Sequence, residues 1–143
     1  MMRQLTILAL LAGAALVVAS CRSTPKLVGD SWEVISVGGA AVRTSAEMPQ
    51  APMFRFSADS GRVMGYGGCN QFTGSFTQSF DSVRIGPLAA TKRMCPQIDL
   101  EARIFDAINR TTTVERSDDV LRFMDGDSIL MECRSKVFPQ SLP

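Results

Sequence analysis

Gly65-Tyr66-Gly67-Gly68-Cys69-Asn70 packs three glycines, a cysteine and an asparagine into one short stretch. A second cysteine, Cys95, ends the run Thr91-Lys92-Arg93-Met94-Cys95 further along the chain. The two stretches are expected to meet and to fix one small antiparallel fold. The glycines do not spell a phosphate-binding loop, because position 70 is Asn and nothing helical follows. They read instead as a strand bend, where glycine permits positive φ or close backbone approach. Asn70 is expected to tie that bend through local backbone bonds. A binding role for Asn70 and Gln71 is the rival reading.

The segments on either side read as strands. Residues 72–80 alternate, with Phe72, Gly74, Phe76, Gln78 and Phe80 on one face and Thr73, Ser75, Thr77 and Ser79 on the other. That is the pattern of a half-buried strand carrying three aromatic knobs. Upstream, residues 53–56 and 62–66 form a pair around the turn Asp59-Ser60-Gly61. Residues 32–37 are rich in β-formers and stop at Gly38-Gly39, and residues 43–52 read as a loop. Downstream, Val83-Arg84-Ile85 ends at Gly86-Pro87, and residues 111–114 return to β-type residues. Residues 120–124 and 128–133 flank Asp125-Gly126, a hairpin signal. Helical spacing occurs at 97–109, where Ile98, Glu101, Ala102, Phe105 and Ile108 recur at three and four and Ile104 widens the stripe. Pro96 sits where a helix start tolerates it. The sum, roughly seven or eight short strands and one helix, predicts an α+β fold. It is expected to be a small antiparallel, curled or incomplete β-barrel with one inserted helix on it or in one end.

The ends say where the domain is expected to live. Arg3, an apolar run over 5–18, and Val18-Ala19-Ser20 before Cys21 have the order of a secretory signal of lipoprotein type. The apolar run is short for a membrane-spanning helix. Residues 1–20 are therefore expected to be removed, with Cys21 becoming the lipidated residue and several acyl chains giving a lasting anchor. Arg22 follows in place of the aspartate that often marks inner-membrane retention, so the expected location is the outer membrane, with the domain facing the periplasm. Residues 21–26 are the lipidated Cys and tether, 27–138 the domain, and 139–143 a tail.

Composition excludes several activities. Arg3 is one of 15 basic residues, so the chain from Cys21 onward balances its 14 acidic residues. A neutral domain without a basic run is a poor nucleic-acid binder. There is no histidine, which removes the commonest general base and metal ligand. With Cys21 assigned to lipid, Cys69, Cys95 and Cys133 allow one disulfide and leave one thiol over. No Cys-x-x-Cys or G-x-S-x-G pattern occurs, and no cofactor or metal is expected. No coherent set of base, nucleophile and orienting group is present, so the chain is not expected to be an enzyme.

Gly67-Gly68-Cys69-Asn70, then Phe72-Thr73-Gly74-Ser75-Phe76, then Thr91 to Cys95 with Met94, then Glu101 and Phe105 in a helix, resembles the META domain family. That family includes the heat-shock lipoprotein HslJ. Trp32 and the Asp125-Gly126 hairpin fit its layout, and the resemblance covers about residues 27–133. It implies a barrel-like sheet with a late helix, and an exported protein tied to envelope stress response or integrity. On this pattern the preferred disulfide is Cys69–Cys95, with Cys69–Cys133 and Cys95–Cys133 as alternatives. Period-two counting through Ile129 and Met131 puts Cys133 on an apolar face as a buried thiol. Glu101 is expected to pair with Arg103 or another base near the helix start. The expected partners are the membrane, through Cys21, and an envelope protein or peptide; oligomeric state is left open. An alternative function, by fold analogy with pilot lipoproteins, is a lipid- or peptide-binding module whose apolar interior is lined by Phe72, Phe76 and Phe80.

Overall fold

The computed structural model describes residues 23–136. The expected signal peptide, Cys21 as the expected lipidation site, and the tail at 139–143 lie outside the described residues. The chain forms β1 (Ser31–Val37), β2 (Ala40–Ala41), β3 (Met53–Ser57), β4 (Arg62–Tyr66), β5 (Gln71–Ser79), β6 (Ser82–Ile85) and β7 (Ala89–Ala90). The helix α1 (Ile98–Arg110) follows, then β8 (Thr113–Ser117), β9 (Val120–Asp125) and β10 (Ser128–Lys136). The strand pairs are antiparallel and run β10-β9-β8-β6-β5-β4-β3-β1, and β10 pairs with β1 to close a ring. This is the expected curled α+β architecture. The seam is thinnest between β6 and β8, where Ser82 pairs with Thr113.

Alternation decides which residues enter the ring. In β3, Phe54 and Phe56 point in while Arg55 is exposed; in β6, Val83 and Ile85 point in. The interior is filled by Trp32, Val34, Phe54, Val63, Phe72, Val114, Leu121, Phe123 and Met131. Edge-on ring contacts join Phe54 to Phe56 and to Phe123, with centroids 5.8 Å and 5.6 Å apart. Cys133 is fully buried in β10 as a free thiol, and burial, with Glu132 beside it, pushes its pKa well up.

Each end of the ring is covered differently. At one end α1 packs against β1, β9 and β10 and buries Glu101, Ile104, Ala107 and Ile108. Ala102, expected in the apolar stripe, faces solvent and Ala107 takes the inward position, because the stripe follows Ile104 and Ile108 around the helix. At the other end the chain before β1 is fastened down. The Trp32 Nε1–H donates to Leu27 O (2.9 Å), Gln78 Nε2 to Pro25 O (2.8 Å) and Arg116 Nη1 to Lys26 O (2.8 Å). Arg116 also pairs with Asp30 at 2.9 Å and lies 5.0 Å over the Trp32 ring. Pro25 and Lys26, expected as tether, are thus fixed to the fold.

Several boundaries differ from the sequence reading. The tight β9–β10 turn uses Gly126-Asp127, since Asp125 still pairs with Ser128. Residue 111 caps the helix instead of opening a strand. The two-residue strands β2 and β7 carry no readable period.

Candidate functional site

The bend between β4 and β5 meets the start of α1, and each glycine there has a steric reason. Gly68 has φ +111°, a conformation side chains rarely adopt. A Cβ on Gly67 would lie 2.8 Å from Glu101 Oε2 and 3.0 Å from Phe105 Cε1. The bend therefore presses its backbone directly onto the helix. Cys69 joins Cys95 in a disulfide, the preferred one of the three pairings left open by the sequence, and Cys95 O accepts the Ile98 N–H at 3.2 Å as the helix begins.

Asn70 and Glu101 lock the junction. Glu101 Oε2 accepts the backbone N–H groups of Cys69 (3.0 Å) and Asn70 (2.5 Å), and Oε1 accepts Asn70 Nδ2 (2.7 Å). The second Nδ2 hydrogen goes to Arg93 O at 3.2 Å. Asn70 Oδ1 accepts the Thr91 hydroxyl (2.9 Å) and the Arg93 N–H (2.7 Å). A side-chain amide has two donors and two acceptor lone pairs. All four are engaged here. Asn70 and Glu101 are both nearly inaccessible, at 2% and 3% exposure.

Two expectations about this junction change. Asn70 does not serve the bend locally; it reaches across to residues at 91, 93 and 101. Glu101 does not pair with Arg103: its two oxygens are occupied by Asn70 and the bend backbone, and Arg103 sits on the exposed helix face. The signal that would have found the clasp is a carboxylate placed on the inward stripe of α1. Such a group requires buried donors.

The other motif residues surround this clasp. Thr91 binds Asn70; Phe105 meets Phe72 with centroids 5.1 Å apart; a Cβ on Gly74 would lie 2.8 Å from Leu88 Cδ2. Met94 is 85% exposed beside the disulfide. Gln71 is exposed, and its N–H donates to Thr91 Oγ1 at 3.3 Å.

The expected pocket of Phe72, Phe76 and Phe80 is corrected. Phe72 is buried against Phe54 and Phe105, and Phe76 packs on Phe56 at 4.8 Å. Phe80 has left the strand: it sits in the turn after β5 with φ 55° and is 75% exposed. The alternation ends at Ser79, so the third ring does not follow the first two inward. Phe72 also borders an open groove of about 320 Å³, lined with Met53, Arg55, Met64 and Tyr66. Among the described residues, no group of three His, Cys, Asp or Glu is placed to hold a metal ion.

Comparison with known proteins agrees with this geometry. Two NMR structures share the fold. One has 22% identity and a TM-score of 0.60, covering 76% of this chain and 90% of its own. The other, from Burkholderia xenovorans, has 21% identity and a TM-score of 0.59, covering 78% and 85%. No curated protein matches the sequence. The META domain model matches residues 25–136, the span that begins at the anchored Pro25 and ends with β10, and the chain belongs to the META domain family.

Proposed function

We propose that this META-domain protein is a non-enzymatic, lipid-anchored protein of the cell envelope, working in envelope integrity or stress response by support and contact. The observation that carries the non-enzymatic part is the clasp. Its buried polar centre, Asn70 with Glu101, uses its hydrogen-bonding groups to hold the β4–β5 bend on α1. An acid or base that works on a substrate needs a group within reach of the proton it moves. Here the carboxylate faces its own backbone. The anchor part is supported by the lipoprotein-type leader ahead of Cys21. Among the described residues no helix is long and apolar enough to cross a membrane, so attachment in this reading runs through lipid.

The anchor is tested by Cys21→Ala with cell fractionation and labelled-palmitate incorporation. Loss of label and release from the membrane fraction are expected. Unchanged membrane association ends the lipoprotein reading. For the non-enzymatic part, Asn70→Ala is compared with wild type at matched amounts of folded protein in a deletion strain under envelope stress. Full rescue by the folded variant is expected. A folded, abundant variant that fails to rescue would make the clasp a working site.

A further inference from the structure

Four facts converge on the turn between β5 and β6. First, the chain enters there. Gln78 Nε2 donates to Pro25 O at 2.8 Å and also to Phe80 O at 2.9 Å, so one amide ties the entry point to the β5–β6 turn. Second, that turn carries a large apolar ring into solvent, with Phe80 75% exposed. Third, Phe80 adopts φ 55°, a backbone conformation uncommon for a bulky residue, and none of the ring contacts of the core reaches it. Fourth, the entry point is fastened to β8, because Arg116 holds Lys26 O at 2.8 Å and Asp30 at 2.9 Å. The neighbouring turns at this end carry Asp59 and Asp118-Asp119, so Phe80 is the large apolar group among them.

We infer that Phe80 is the membrane-contacting point of the domain: its ring enters the headgroup region of the bilayer to which Cys21 is attached. The inference rests on the reading of Cys21 as lipid-bearing. Pro25 lies four positions beyond Cys21, and an extended chain covers at most about 3.6 Å per residue, so the entry point lies within roughly 14 Å of Cys21. The bilayer's polar zone is several ångströms thick on each side. A domain held that closely, by an entry point that shares a hydrogen-bonding amide with the Phe80 turn, presents this end to the lipid. Aromatic rings favour that zone. The domain then stands with Met94 and the disulfide facing away from the membrane, and the acidic turns keep the contact shallow, limited to one ring.

The test uses full-length protein purified from membranes and reconstituted into vesicles of phosphatidylethanolamine and phosphatidylglycerol. Phe80→Trp places a reporter at the turn, Met94→Trp places one at the far end, and the buried Trp32 is a constant background. Mass analysis of the same sample reads the modification on Cys21. The expected result is a lipidated Cys21, a blue-shifted and brominated-lipid-quenched indole from Phe80→Trp whose acrylamide quenching constant falls about threefold or more on reconstitution, and no such change for Met94→Trp. If Cys21 is lipidated and the Phe80→Trp indole stays as accessible as in detergent-free solution, the orientation is wrong and the anchor stands. Equal shielding of both indoles also overturns it. An unmodified Cys21 overturns the anchor and this inference with it.

Discussion

Removing the Glu101 carboxylate is the sharpest perturbation of this fold. Three donors converge on it: the backbone N–H groups of Cys69 and Asn70 and the Asn70 amide. Glu101→Ala strands all three in a site that is 3% exposed. Each buried donor left without a partner costs about 1–3 kcal/mol, so the loss is about 3–9 kcal/mol before any cavity is counted. Glu101→Gln keeps one oxygen for the two backbone donors but sets an NH₂ against Asn70 Nδ2. Turning the Asn70 amide over to accept it would break the bonds from Thr91 and Arg93. The Gln variant is therefore expected to lose about 1–3 kcal/mol. Urea unfolding followed by the emission of Trp32, with the disulfide intact, reads both. With a denaturant slope of about 2 kcal/mol/M, the alanine variant's midpoint falls by at least about 1.5 M and the glutamine variant's by about 0.5–1.5 M. Asn70→Ala combined with Glu101→Gln is expected to be non-additive by about 0.5–3 kcal/mol, as for residues sharing one network. An alanine variant within about 1 kcal/mol of wild type, or strict additivity, refutes the clasp as the source of stability.

Two further outcomes follow from the cysteines. The Cys69–Cys95 bond spans 26 residues, and in the chain-entropy model a loop of that size contributes about 3.5 kcal/mol. Cys69→Ser with Cys95→Ser, or reductant, should lower the urea midpoint accordingly, and alkylation of both thiols without reductant would refute the pairing. Cys133 gives a pH dependence, because burial holds its thiol protonated in the native state while the unfolded chain releases the proton near the ordinary value of roughly 8.5. That contribution is complete below the unfolded value and is lost as pH rises toward the raised folded value, by up to about 1.4 kcal/mol per pH unit. Stability should decline less steeply above pH 8.5 in Cys133→Ala than in wild type; parallel declines would show that the thiol titrates alike in both states.

Local pattern carried most of the fold into view. The alternation of Phe54 and Phe56, of Val83 and Ile85, and of Met131 and Cys133 states which face of each strand is apolar, and period two leaves little freedom about register once one face is buried. The helix is legible from Ile104 and Ile108 at its inward stripe. The sequence favoured the Cys69–Cys95 disulfide but left Cys133 as a rival partner. Hairpins fell within a residue of their signals, as at Asp125-Gly126, because a turn residue specifies a bend more sharply than its exact ends.

What the chain order alone determined is therefore the longer strands, the helix, most of the apolar faces and the family. Tertiary structure decided the partners. Asn70 looked like a local turn residue, and Glu101 like the partner of Arg103 or another base near the helix start; each acquires its role from a group more than twenty positions away that no local period encodes. Phe72, Phe76 and Phe80 share one two-residue period, yet the strand ends at Ser79 and the turn sends Phe80 outward. The same closure brings Pro25 to Gln78 across the ring. Spacing fixes which side of an element a residue occupies. Only the folded chain fixes what stands opposite, and whether a polar group there finds a donor or an aromatic ring finds solvent.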